Sequence, residues 1–317
     1  AYNARAGGAC GKTGYGAGAF RSGARHKPRV GGMDSLPARI GALIGKTCET
    51  GKPKQKTEAT AIKKELKRLL GCLRRADADF GMIQNGDRIA VGVSGGKDSL
   101  ALVYCLELYK RFSKKDYEIC AVTVDTGLRP FDLSGVREFM ARLGVPYEVI
   151  ETNAGEVVFS LRQEKNPCAL CANLRRGTMN NAALRLGCNK TALGHHSEDA
   201  VDTLLMSIFY EGRLNTFQPV TELSRCGLTV LRPLVYASQE DIISLAKGLP
   251  LPVVPSPCPA CGKTARARAE RILDILEAEI PDVRQKLKGA LEGTENYRLW
   301  RKVSDIDAAS GNKDRDL

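Results

Sequence analysis

The chain has 317 residues, enough for one large domain or two smaller ones with a buried core, and no run approaches the ~18 apolar residues of a membrane helix. Its hydrophobic content of 43% and charged content of 26% are ordinary for a globular protein, but its net charge of +12 is not. Such a surplus points to a polyanionic partner, and with 9 Tyr, 8 Phe and 1 Trp the attraction is mainly to phosphate.

Residues 1–33 hold six Lys or Arg, nine Gly and no Asp or Glu, a composition that buries too little apolar surface to order itself. It also suits an organellar transit peptide, and Met33 would serve as an initiator after an over-extended start. Residues 1–55 therefore read as a basic extension. Over 56–85 the pattern predicts an amphipathic helix. Ile62, Leu66, Leu69, Leu70, Leu73 and Phe80 fall at helical spacing, with Lys63, Lys64, Lys67, Arg68, Arg74 and Arg75 around the rest of the axis. A face of that kind suits nucleic-acid phosphates or is simply solvated.

A catalytic domain is expected over 86–250. RIAVGVS, EICAVTVDTG, PYEVIET and NKTALGHH read as strands. LALVYCLELYKRF, VREFMARLG, LRRGTMNNAALRLG, EDAVDTLLMSIFYEG and QEDIISLAKGL read as helices, the last introduced by LTVLRPLVY. The alternation predicts an α/β fold, a parallel sheet with helices on both faces, flanked by helical segments at either end. Ligands in such sheets bind beyond the carboxyl ends of the strands. Asp125 and Gly194 lie at two of those ends and are candidates for the nucleotide site, Asp125 also for capping its turn. Residues 251–300 hold a second cysteine pair and helices with Ile272, Ile275, Leu276 and Ile280 on an apolar face, and 301–317 form a polar tail.

The first strand ends in Ser94-Gly95-Gly96-Lys97-Asp98-Ser99. Adjacent glycines let backbone N–H groups converge on an anion, and the following helix aims its positive end at the same place. Lys97 can neutralise phosphate, Ser94 and Ser99 offer hydroxyls, and Asp98 can hold Mg2+ or order the turn. The spacing is too short for a Walker loop. The segment resembles the PP-loop of the ATP-pyrophosphatases, enzymes that cleave ATP between its α and β phosphates.

Of eleven cysteines, Cys105 and Cys120 sit in apolar patterns and read as core. Cys168 and Cys171, and then Cys258 and Cys261, form two C-x-x-C turns separated by 86 residues. Such pairs suit zinc, an iron–sulfur cluster or unligated thiols, and spacing does not separate these. An odd count with no secretory signal argues for a reducing, cytoplasmic setting over a disulfide framework.

Taken in order, SGGKDS, CALCANLRRG, ALGHHSEDAVDTLLMSIFYEGRL, RPLVY and PCPACG are similar to the tRNA 2-thiocytidine synthetase family. The resemblance implies a PP-loop, adenine-nucleotide α-hydrolase-like fold, with ATP, Mg2+ and a 4Fe-4S cluster as cofactors. It implies tRNA as substrate and a sulfur donor, either a cysteine desulfurase or sulfide, and it leaves a homodimer open. Ser94 to Ser99 would bind pyrophosphate. Cys168 and Cys171 would be cluster ligands, and Cys261, in preference to Cys258, the third. Lys97, Asp98, Asp199 and Arg176 would be catalytic, Arg175 would support the backbone or phosphate, and His195 and His196 are candidates for proton transfer. Alternatives are thiolation of a tRNA uridine and, from another class, a non-catalytic zinc- and RNA-binding protein.

Overall fold

In the computed structural model the basic amphipathic segment is a helix, α1 (Pro53–Phe80). The described residues are 53–128, 132–161, 167–256, 258, 262 and 264–293, with 53–61 as backbone only. The expectations for residues 1–52, for Cys261 and for the 301–317 tail lie outside them. The chain divides into Ala1–Ala61 and Ile62–Leu317, and the fold is that of the second unit. Along α1, Leu69, Leu73 and Ala76 are buried, and Phe80 meets Tyr236 at 5.8 Å. Buried Asp77 accepts from Ile83 N (2.9 Å), Tyr109 Oη (2.7 Å) and Lys115 Nζ (2.5 Å), fastening this helix to the segments that follow. A carboxylate without those donors would be expensive to bury.

Next come β1 (Asp87–Gly92), α2 (Lys97–Phe112), β2 (Tyr117–Asp125), α3 (Ser134–Leu143) and β3 (Tyr147–Glu151). A single turn, Ala154–Glu156, runs into a π-turn, Val157–Leu161. Then follow α4 (Pro167–Arg185), β4 (Lys190–Ala192) and α5 (Ser197–Met206), the last continued by a π-turn, Ser207–Glu211. The remainder is β5 (Val220–Leu223), β6 (Leu228–Leu231), α6 (Gln239–Gly248), α7 (Ala265–Glu279) and α8 (Val283–Glu292). No helix among the described residues is long and apolar enough to cross a membrane.

The six strands are ordered β3-β2-β1-β4-β6-β5. All neighbours pair in parallel except β5 and β6, which are antiparallel. The expected parallel sheet is thus present, with one antiparallel strand added at its edge. Val220–Leu223 and Leu228–Leu231 form a hairpin closed by Gly227 at φ 67°, and a hairpin needs no crossover helix. From β1 the chain builds outward through β2 and β3, then returns to β4 on β1's other side. That switch opens a crevice at the carboxyl ends of β1 and β4.

Central β1 is apolar from Ile89 to Val91, all three fully buried, as a strand covered on both faces must be. Cys105 and Cys120 are core, and Cys120 Sγ lies 3.5 Å from Cys188 Sγ among Ala90, Val122, Met179 and Leu228. The C-terminal helices pack on α5 through Ala269 and Leu273 against Val201 and Leu205. The expected apolar face is corrected accordingly. Ile272, Ile275 and Ile280 are exposed, because the i, i+4 pair 269/273 takes the stripe facing α5.

Candidate active site

Val93 N still bonds Val122 O at 2.8 Å, so the chain leaves the sheet at Ser94. Gly95 then turns it at φ 79°, a left-handed value that favours glycine. The loop is braced from within. Ser99 Oγ donates to Gly96 O (2.9 Å) and accepts from Ser94 N (3.2 Å), while Ser94 Oγ accepts from Gly96 N (3.3 Å). No side chain caps the start of α2, which leaves its first amides to an anion. Lys97 Nζ stands 2.9 Å and 3.1 Å from the two carboxylate oxygens of Asp98.

Gly194, just past β4, meets this helix start directly. A Cβ there would lie 3.0 Å from the carbonyl carbon and oxygen of Asp98 and 3.1 Å from Ser99 N. A side chain there would have to push that backbone aside by a few tenths of an ångström, so Gly194 keeps the two elements close.

His196, two residues on, is the N-cap of α5. Its N–H donates to Asp199 Oδ2 (3.0 Å), its Nδ1 pairs with Glu198 Oε2 (3.0 Å), and its Nε2 lies 3.9 Å from Asp98 Oδ1. Burial alone would lower its pKa, but the Glu198 hydrogen bond and the charges of Asp199 and Asp98 outweigh burial and raise it. Burial would raise Glu198, yet hydrogen bonds with His196, its own backbone and Ser197 hold it at about 2. Asp199 also accepts from Arg266 Nη1 at 2.6 Å. Both of its oxygens are therefore engaged in capping α5 and gripping α7. His195 is different. Burial, with the neighbouring Arg232, Arg266 and His196, pulls it down to about 4 against the pull of Asp199, so it is neutral at physiological pH. Asp125 Oδ1 accepts from Gly127 N (2.9 Å) and its carbonyl from Thr152 N (2.9 Å), so it caps the turn after β2.

Cys168 and Cys171 lie not in a loop turn but at the start of helix α4. Pro167 opens that helix, because its missing N–H is one that a helix start leaves unpaired anyway. At i and i+3 the two thiols share a face. The Cys168 thiol is raised by burial, then by Cys258 and Cys171, with Arg175 opposing, so the sulfurs lie within electrostatic reach of one another. Val254 N, four residues before Cys258, donates to Gly95 O at 2.9 Å and ties that segment to the glycine loop. Among the described residues no three His, Cys, Asp or Glu side chains stand in ligating geometry. As a donor set, thiols within electrostatic reach of one another, with no carboxylate acting on Cys168 among the described residues, fit a soft metal or an iron–sulfur cluster. Arg175 and Arg176 are exposed on α4.

Two residues of this constellation are not singled out by the sequence. Arg266 lies 67 residues from the Asp199 it grips and reads in sequence as a solvated helix charge, and Glu198 is hidden by the histidines beside it.

A PP-loop domain family matches residues 59–268. The tRNA-cytidine(32) 2-sulfurtransferase of Pelobacter propionicus is 40% identical over 74% of this chain and 88% of its own. That of Geobacter sulfurreducens is 39% identical over 71% and 89%. Among solved structures, the U34-tRNA thiolase NcsA from Methanococcus maripaludis with its 4Fe-4S cluster shares the fold. Its TM-score is 0.56 at 23% identity, over 77% of this chain and 81% of that one.

Proposed function

We propose a residue-level mechanism from one premise: the chain belongs to the tRNA-cytidine(32) 2-sulfurtransferase family of PP-loop proteins. It is an enzyme, and its activity is the ATP-dependent thiolation of a tRNA cytidine. The chemical obstacle is that oxide is a poor leaving group from a cytosine carbonyl. Transfer of AMP from ATP to that oxygen, with pyrophosphate leaving, makes it a phosphate-ester leaving group. Hydrosulfide then adds to the ring carbon and loses its proton, and AMP departs with the former oxygen.

The protein's part is charge neutralisation and positioning. The amides of Gly95, Gly96 and the start of α2 receive the phosphates, with Ser94 and Ser99 holding the loop rigid. On nucleotide binding Lys97 would turn from Asp98 to phosphate, and Asp98 is the carboxylate that would hold Mg2+, which when bound neutralises phosphate charge. His196, at 3.9 Å from Asp98, stabilises that carboxylate, and Asp199 with Arg266 fixes His196. Arg176 receives phosphate charge on the cysteine side. Cys168, Cys171 and either Cys261 or Cys258 would hold a 4Fe-4S cluster, which when bound supplies a soft site for sulfur. The sulfur comes from a cysteine desulfurase or from sulfide.

The observation that supports this reading most is the bond from Val254 N to Gly95 O, which joins the Cys258 segment to the nucleotide loop. The test compares Lys97→Ala and Asp98→Ala with the wild type. Both variants should bind tRNA normally and lose thiolation, and retained thiolation in both would put the nucleotide elsewhere. Cys168→Ala and Cys171→Ala should lose iron after anaerobic reconstitution. Between Cys258→Ala and Cys261→Ala, the variant that keeps iron identifies the non-ligand.

A further inference from the structure

Arg232 opens RPLVY, the one motif to which the mechanism above gives no work. It directly follows β6, whose Leu231 pairs with Ala192 of β4, so Arg232 and His195 leave the sheet from adjacent strands at the same edge. Both contact Phe217. The His195 ring stacks on it at 5.0 Å, and the Arg232 guanidinium lies 4.9 Å from its centroid. Arg232 Nη1 donates to Gln218 O (2.6 Å) and Thr221 Oγ1 (3.2 Å). Its Nε and His195 Nδ1 are buried and have no hydrogen-bond partner among the described residues.

The charge around this group is one-sided. Burial first, and then the charge of Arg176, lower the Arg232 guanidinium to about 10, and no carboxylate contributes. A guanidinium remains protonated in neutral water, so half-buried Arg232 keeps its charge, with the exposed cation Arg176 within electrostatic reach. Among the described residues neither forms an ion pair. Bringing like charges together out of water costs free energy, and an anion between them reverses the sign. The forked geometry of arginine suits phosphate, and the Phe217 ring, stacked on His195, holds the guanidinium in place. Arg232 stands two strand spacings from the end of β1, roughly 10 Å from where the glycine loop begins.

We propose that Arg232 and Arg176, with His195 and Phe217, form a second phosphate-binding site beside the glycine loop. The site takes a phosphodiester of the RNA next to the target base, or else a phosphate of the nucleotide. It rests on the thiolation reading and extends it to how the RNA is held against the cysteine-bearing helix, since Arg176 and Cys171 belong to the same helix.

The experiment uses the full-length protein and the variants Arg232→Gln and Arg176→Gln. tRNA affinity is measured over a salt series and ATP affinity by equilibrium dialysis. For an RNA phosphodiester, each variant loses about tenfold or more in tRNA affinity and about one unit of salt slope, with ATP binding unchanged. A stem–loop RNA carrying a neutral methylphosphonate beside the target cytidine should then bind the wild type as weakly as natural RNA binds the variants, with no further loss on combining them. A loss of ATP affinity with tRNA binding unchanged would assign the same site to a nucleotide phosphate. Arg176 is exposed, so Arg176→Gln leaves the packing at Phe217 intact. Unchanged affinity for both ligands in that variant would overturn the site even if Arg232→Gln misfolds. Lys97→Ala separates this from the parent reading, because lost thiolation there with unaltered phosphate binding here removes only the second site.

Discussion

Asp202 and Glu198 lie four residues apart on α5, and their carboxyl groups are driven in opposite directions. Glu198 accepts from Ser197 Oγ (2.9 Å) and Gln239 N (2.9 Å) and pairs with His196, so it stays ionised despite burial. Asp202 is buried with Oδ1 unpartnered among the described residues. Burial, aided by Glu270 and Asp199 and opposed by Arg266 and Arg284, pushes it up to about 6. Its unfolded value is about 4, so the native state holds a proton that the unfolded chain has released over that interval. The stability associated with this group is present below about pH 4 and is lost as pH rises through about 6. Asp202→Asn, which has no charge to bury, should therefore be stabilising by about 1–3 kcal/mol at pH 8. The gain should vanish near pH 4. Thermal unfolding of both proteins across that range checks it, and a gain independent of pH would assign the effect to packing.

At the scale of elements, the crevice depends on how closely the end of β4 approaches the start of α2. Gly194→Ala would press a methyl group onto the backbone of Asp98 and Ser99, which cannot rotate away as a side chain can. The variant should fold, lose about 1–2 kcal/mol, and bind ATP more weakly while binding tRNA as before. Equal loss for both ligands in dialysis would show a global defect instead. The same elements show what can be read from residues alone. The glycine loop is legible because one hexapeptide carries all its parts, and β1 and β2 because their apolar runs are buried on both faces. β5 is not, since VTEL is four residues long with a weak burial pattern and gains its strand only from β6. The first turn of α4 is hidden because Pro167 reads as a breaker unless it stands first in a helix. Arg232 and Arg266 look like solvated charges until the fold brings Arg176 and Asp199 to them.

The net charge of +12 is a property of the whole molecule, but the fold does not leave all of it free. On α1, Arg68 pairs with Asp241 of α6 at 2.5 Å. Arg75 pairs with Glu292 of α8 at 2.9 Å and lies 3.9 Å over the Tyr236 ring. These two arginines join α1 to the rest of the unit. Lys63, Lys64, Lys67 and Arg74 are exposed and form no ion pair among the described residues. Lys63, Lys67 and Arg74, at i, i+4 and i+11, fall along one stripe, which is the arrangement that follows a phosphate backbone. Replacing all four by Gln should lower tRNA affinity at least about tenfold at low salt and reduce the salt slope by about one unit for each phosphate that is no longer neutralised. Cognate and non-cognate tRNA should weaken alike, because binding to phosphate positions the RNA without specifying its sequence. Arg68→Ala and Arg75→Ala should instead cost up to about 1 kcal/mol each in stability and leave the slope unchanged, since half-exposed pairs contribute little and face inward to the fold. A steep slope that survives the fourfold change but collapses in the two arginine variants would reverse these assignments and turn α1 around its axis as an RNA-binding surface.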